Sequence, residues 1–388
     1  MDRPIYLDHN ATTALDPEVL EAMRPYWLSA GNPESRHAAG RSARRGWEQA
    51  KETVARILGA DPGEVIFTSG GTEANNLAIF GLAGAEGDPG HVVSSPVEHP
   101  AIAEPVARLE AAHFRVDRPS VDAQGLADPE AMAATLGLDS RFATLMLANN
   151  ETGAIQPVGR LASLASALNV PVHTDAVQAV GRIPVHFHNL GVATLAASAH
   201  KFHGPIGAGI LLVRSGIRLG SRLFGGGQQQ GRRAGTVAVP LAVGLAKALE
   251  RWEREAEERQ GRWRALRDRF EQDLIRALAE SQVQVQVVRN APVLDVDRLP
   301  QTSNLGFPGL DGDALLMQLD LAGIAASLGS ACASGSTRPS PTLVAMRVPD
   351  DRLRSSVRFS LGATTDEAEI DEAIHRIVQV VRRIKAAD

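Results

Sequence analysis

Gly191-Val192-Ala193-Thr194-Leu195-Ala196-Ala197-Ser198-Ala199-His200-Lys201 decides how the rest of the chain is read. Residues 191–197 form a short apolar run that reads as a buried strand, and Gly204-Pro205-Ile206-Gly207-Ala208-Gly209 cannot continue regular structure. Lys201 therefore stands at a strand end, where the active sites of open α/β sheets collect. A lysine in that place is either a solvated surface charge or a Schiff-base nucleophile, and the second needs desolvation or a neighbouring cation to keep its amine partly neutral.

Upstream, Val170-Pro171-Val172 reads as another strand and His173-Thr174-Asp175-Ala176-Val177-Gln178 as the segment that leaves it, which sets Asp175 just past a second strand end. Alone, Asp175 reads first as a helix N-cap. Taken with Lys201 it completes the pair that pyridoxal phosphate requires: an amine to tether the ring, and a carboxylate to keep the pyridinium nitrogen protonated so that the ring acts as an electron sink.

Working outward, Ile5–Leu7 reads as a strand, Pro17–Leu28 as a helix opened by Asp16-Pro17, and Ala38–Leu58 as a long amphipathic helix after the turn Asn32–His37. Val65–Thr68 is a buried strand, and Ser69-Gly70-Gly71-Thr72 leads from it into a helix, a junction where backbone N–H groups and the helix dipole favour an anion. Strands at 91–95, 114–117 and 143–148 then alternate with helices at 100–111, 129–136 and 157–168. That pattern predicts an α/β fold with a mainly parallel sheet flanked by helices. Residues 240–280 read as one long charged helix, and 283–384 as a smaller α+β domain.

The chain has 388 residues, enough for two domains, and a net charge of -5 that argues against nucleic acid or an anionic membrane as partner. No basic head with an apolar stretch opens it and no run reaches the length of a membrane span, so a cytoplasmic protein is expected. A single cysteine excludes an intramolecular disulfide. That residue, Cys332, lies among small residues and prolines, where an exposed and reactive thiol fits better than a buried hydrophobe. The histidine groups 186/188 and 200/203 lack a carboxylate or cysteine at recognisable ligand spacing, and no metal is expected.

These stretches resemble the NifS/IscS-like cysteine desulfurases, class-V aminotransferases of pyridoxal-phosphate fold type I. The likeness is carried by Tyr6–Thr13, Ser69–Asn76, Glu98–Ile102, Asn149–Gly153, His173–Gln178, Ser198–Lys201, Gly225–Gln228, Arg233–Thr236, Gly329–Cys332 and Val357–Gly362, in family order over nearly the whole chain. It implies a homodimeric enzyme that converts L-cysteine to L-alanine and leaves the sulfur as a persulfide on Cys332. An iron-sulfur scaffold or a sulfur carrier protein would then accept it.

In that likeness Lys201 holds pyridoxal 5'-phosphate covalently, His99 stacks on the ring and moves protons, and Asp175 lies under the ring nitrogen. Asn150 and Gln178 reach the phenolic oxygen. Gly71, Thr72, Ser198 and His200 hold the phosphate, joined by Thr236 of the other subunit. Arg358 and Asn150 take the substrate carboxylate, and Asn32 stands near the substrate entrance. The expected division is a large domain of residues 15–255 and a small one of residues 1–14 and 256–388 that carries the cysteine loop. Ile206, Gln229, Gln230, Ala234 and Leu328 depart from the family pattern and bear on the dimer contact near Thr236 and on the approach to that loop. Selenocysteine lyase, a kynureninase-like hydrolase, a small-amino-acid aminotransferase and a non-enzymatic paralogue are the competing readings; Cys332 argues against the hydrolase and the aminotransferase, and the set Lys201, Asp175, His99 and Cys332 against the last.

Overall fold

The computed structural model describes residues 4–84, 89–281, 283, 285–329 and 339–387. Along the chain come β1 (Ile5–Tyr6), α1 (Pro17–Leu28), α2 (Ala38–Leu58), β2 (Val65–Thr68), α3 (Gly71–Ala83), β3 (His91–Ser94), α4 (Pro100–Ala111), β4 (Arg115–Asp117), α5 (Pro129–Ala134), β5 (Ser140–Thr144), α6 (Val158–Ser166), β6 (Val172–Asp175), α7 (Phe187–Leu190), β7 (Thr194–Ser198) and β8 (Gly209–Val213). The 41-residue α8 (Val239–Ala279) leads to β9 (Val288–Arg289), β10 (Thr302–Gly306), α9 (Gly312–Leu321), β11 (Ile324–Ala325), β12 (Ser327–Leu328), α10 (Pro341–Ala345), α11 (Asp350–Leu353), β13 (Ser356–Ser360) and α12 (Glu367–Ala387).

The fold is α/β, as expected. Seven strands form one sheet in the order β2-β8-β7-β6-β5-β3-β4, in which β8 alone runs against its neighbours. β8 begins at Gly209, the last residue of the stretch expected to break regular structure, and its apolar run Ile210-Leu211-Leu212-Val213 was passed over; its reversed direction is set by pairing with β7 and β2 and leaves no mark on composition. The smaller sheet, β12-β13-β10-β9, is antiparallel, and β1 pairs with β11.

Local signals explain the helix ends. The Asp16 carboxylate accepts from Glu18 N at 2.8 Å and opens α1, and Gly59 closes α2 in the left-handed conformation (φ 61°). Three expected boundaries move. β6 runs on through His173 and Thr174, all buried, so Asp175 is the last strand residue and not the first beyond it. β5 ends at Thr144, although Leu145 N and Leu147 N still donate to His173 O and Asp175 O at 3.2 and 2.8 Å. The strand expected over 283–288 shortens to the two residues of β9.

One apolar core lies under the large sheet and includes Ala242–Leu249 of α8; a second gathers Ile5 and Leu7, Trp252–Leu278 of α8, β10, β13 and α12. Helix α8 thus serves both, with Trp252 and Trp263 stacked at 6.2 Å in the second. Segment 8–13 runs along the seam: Asn10 N donates to Ser360 Oγ at 2.8 Å, while Thr13 N donates to His200 O at 2.9 Å.

Candidate active site

At the C-terminal ends of β6 and β7 a cavity of about 200 Å³ opens. It is lined by Gly71, Thr72, His99, Asn150, Asp175, Gln178, Ser198, His200, Lys201 and Arg358, with Asn10, Ala11, Asn75, Ala101, Met146 and Val177. Ten of the residues singled out in the sequence therefore meet in one place. Three do not. Asn32 is exposed, with its carboxamide oxygen accepting from Glu34 N at 2.9 Å; Thr236 is exposed outside the cavity; Cys332 lies outside the described residues.

Asp175 is held rigidly. Its Oδ1 accepts from Val177 N at 2.9 Å and its Oδ2 from Asn75 Nδ2 at 2.7 Å. Because that carboxylate only accepts, Asn75 must turn its amide nitrogen to it and its oxygen to His173, whose Nε2 is 3.1 Å away. His173 then carries its proton on Nε2 and leaves Nδ1 to accept from Thr194 Oγ1 at 2.8 Å. Complete burial pushes His173 down to about 3, so the ring is neutral at neutral pH and the chain Thr194–His173–Asn75–Asp175 keeps one polarity.

Lys201 follows β7 in a single 3-10 turn, and its Nζ donates to Asn10 O and Ala11 O, both at 2.7 Å. His99 caps α4 by accepting from Ala101 N through Nδ1 at 3.1 Å, which leaves the proton on Nε2. It is thus both the helix-opening residue and a wall of the cavity. His200 Nδ1 lies 3.1 Å from Thr12 Oγ1, and burial followed by the charge of Lys201 lowers His200 to about 4.

The anion-binding junction has the shape that the sequence suggested. Gly70 opens α3 without any side-chain cap at φ 155° and ψ -178°, a conformation open only to glycine. The first turn of α3 therefore offers its N–H groups to the cavity. A Cβ on Gly71 would come within 2.7 Å of Val177 Cγ2, and one on Gly209 within 2.5 Å of Gly70 C, so backbone packs directly on backbone behind this cradle. Buried Gln178 Oε1 has no hydrogen-bond partner, while its Nε2 donates to Asn10 O at 3.0 Å. An uncapped helix start, a fixed carboxylate, an amine and the imidazole of His99 form a donor set whose chemistry fits pyridoxal phosphate.

Arg358, in the centre of β13, is 1% exposed. Its Nη2 donates to Asp8 Oδ1 at 2.6 Å and its Nη1 to Asn150 O at 3.1 Å, while Nε has no partner. It makes an internal ion pair and also lines the cavity.

Several residues were missed. Asn10 and Asn75 sit inside motifs that the sequence marked, but their partners lie 100 residues or more away in the chain. Buried Glu98, just before His99, is raised well above the usual carboxylate range by burial and then by Asp175. Glu151 is raised by burial; it accepts from Ser340 Oγ at 2.5 Å and abuts Gly329, joining the two flanks of segment 330–338. Arg182, fully buried beside Lys201, carried no sequence signal at all.

His188 does meet a carboxylate, contrary to the spacing argument: Glu64 Oε2 lies 2.8 Å from its Nε2, and Asp61 is close by. Glu64 is already occupied, accepting also from Asp61 N at 2.9 Å and Ser215 N at 2.8 Å, and acts as a tie between β2, β8 and α7.

The family model described as aminotransferase class-V matches residues 5–373. A cysteine desulfurase from Trichormus azollae is 42% identical over 98% of this chain and 94% of its own, and the cysteine desulfurase IscS from Dictyoglomus turgidum is 40% identical over 99% and 97%. A solved NifS-like protein superimposes with a TM-score of 0.89 at 33% identity, covering 98% of this chain and all of its own.

Proposed function

This chain belongs to the class-V aminotransferase family, and on that premise we propose that it is a pyridoxal-phosphate-dependent cysteine desulfurase, converting L-cysteine to L-alanine and passing the sulfur through an enzyme persulfide to an acceptor protein. The observation that carries this reading is the convergence of Lys201 and Asp175, from neighbouring strands, on one cavity with His99 and the uncapped start of α3.

The cofactor, when bound, supplies an electron sink for the carbanion formed at the substrate's α-carbon. The protein supplies the rest. Lys201 tethers the cofactor and returns as a proton carrier. His99, whose Nδ1 accepts from Ala101 N and whose proton is on Nε2, lines the cavity and shares that task. Asp175, locked by Asn75 and Val177, keeps the ring nitrogen protonated. Gly71, Thr72, Ser198 and His200 receive the phosphate; Asn150 and Gln178 orient the ring's phenolic oxygen. Arg358 and Asn150 hold the substrate carboxylate, and Asn32 serves the substrate entrance. The Cys332 thiolate takes the substrate's sulfur.

The protein acts as a homodimer in which exposed Thr236 completes the phosphate site of the partner, in a division of residues 15–255 against 1–14 with 256–388. It works in the cytoplasm and hands sulfur to an iron-sulfur scaffold or a sulfur carrier. Among the described residues no helix is long and apolar enough to cross a membrane, and the net charge of -5 supports a protein partner over nucleic acid. Mass spectrometry of Cys332 after exposure to L-cysteine tests the proposal: one added sulfur, with alanine released, is expected. An unmodified thiol in a cofactor-loaded preparation that consumes cysteine would overturn it, and release of alanine from selenocysteine alone would favour the lyase.

A further inference from the structure

Arg182 is 2% exposed and has no ion-pair partner among the described residues. Its guanidinium is solvated by oxygens alone: Nη1 donates to Asn10 Oδ1, and Nη2 to His9 O at 2.8 Å and Lys201 O at 3.0 Å. A cation buried without a carboxylate is costly, and folds keep one where its field or its grip is used.

The backbone makes the placement compulsory. Gly181 has φ 78°, and a Cβ there would lie 2.2 Å from Phe202 Cβ, so the turn after β6 closes directly on the residue after Lys201. Lys201 Nζ meanwhile binds Asn10 O and Ala11 O. Two cations are thereby fixed to the same short segment, His9–Ala11.

We propose that Arg182 is a positioning residue for Lys201 that also sets the proton affinity of its amine, fixing the lysine's backbone and segment 9–11 while holding a positive charge on the same segment that the amine binds. The inference rests on Lys201 being the residue that carries the cofactor. Other charged and titratable groups among the described residues also line this region. Arg358 on β13 is paired with Asp8, Asp175 on β6 accepts from Asn75 and Val177, and His99 on α4 uses Nδ1 for its cap. His200, His9 and His203 are all driven low, to about 4, 3 and 4, chiefly by burial and in each case also by Arg182. Arg182 itself falls to about 9 through burial and Arg358, and remains a cation at neutral pH.

The test compares Arg182→Gln, which keeps a donor and loses the charge, with Arg182→Lys, which keeps the charge, in the cofactor-loaded protein. The readout is the pH midpoint of the visible absorbance of the Lys201–cofactor linkage. Two cations that bind the same short segment shift one another by about one pH unit. We expect the midpoint of Arg182→Gln to rise by about that much and that of Arg182→Lys to stay near wild type. Equal midpoints in all three proteins, or an equal shift in both variants, would overturn the inference. Borohydride reduction and peptide mapping of wild type separate the two levels: a label on another lysine refutes the reading of Lys201, whereas a label on Lys201 with unmoved midpoints refutes only the role of Arg182. Should neither variant fold, competitive labelling of the Lys201 amine in cofactor-free wild type decides. A titration at least about one unit below the usual ~10.4 is expected, and one at that value overturns the inference.

Discussion

Lowering the pH should unlock the support beneath Asp175 before the carboxylates of the surface titrate, and His173 is where the effect can be isolated. The imidazole is completely buried and its pKa falls from 6.5 to about 3 on folding. The unfolded chain therefore binds a proton that the folded one refuses, and the stability this contributes is present above 6.5 and lost as the pH falls towards 3. The whole window of the shift corresponds to about 4.8 kcal/mol at about 1.36 kcal/mol per unit. Between pH 7 and pH 5 about 2 kcal/mol of it is lost, a substantial part of the stability of an ordinary domain. Urea unfolding of the cofactor-free protein followed by circular dichroism at the two pH values, in wild type and in His173→Gln, reads the difference. The variant starts less stable, since Thr194 Oγ1 and Asn75 Oδ1 lose their partners. Its further loss on going to pH 5 should be about 2 kcal/mol smaller than that of wild type. Equal losses would mean that His173 is not held neutral, and the fixed polarity of the chain Thr194–His173–Asn75–Asp175 would fall with it.

Other outcomes follow from the same geometry. Gly209→Ala drives a Cβ against Gly70, backbone against backbone. Such overpacking costs about 1–3 kcal/mol, and a weaker hold on pyridoxal phosphate in equilibrium dialysis is expected; unchanged affinity would show that the start of α3 does not bear the phosphate. Gln229, in the left-handed conformation, clips the sheet's edge strand by accepting from Phe67 N at 2.7 Å and donating to Phe67 O at 2.8 Å. Gln229→Glu turns an acceptor on that carbonyl and should cost about 2 kcal/mol in thermal unfolding at pH 7, and a neutral result would mean that the clip is dispensable. Asp8→Asn leaves Arg358 buried without a carboxylate and should cost about 3–5 kcal/mol. Added L-alanine should then restore the melting temperature more than it raises that of wild type; an identical response would refute the placing of a substrate carboxylate at Arg358.

Much of this architecture is written in local chemistry. Asp16-Pro17 and Gly59 bound α1 and α2, and His99-Pro100 opens α4, because caps and left-handed glycines act within a few residues of themselves. The alternation of buried strands and helices was sufficient for the fold class, and strand ends drew attention to Lys201 and Asp175 as a pair, since in such sheets those ends open on the ligand crevice. Only the tertiary structure could add what depends on distant partners: the reversed direction of β8, the Asn75 amide that orients Asp175 across 100 residues, the Asp8 carboxylate on Arg358, and Arg182 lodged against Lys201. A side chain's type announces what it can bind, but in a buried site its role is set by whichever donors, acceptors and charges the packed chain brings within reach, and those contacts leave no period or spacing in the sequence.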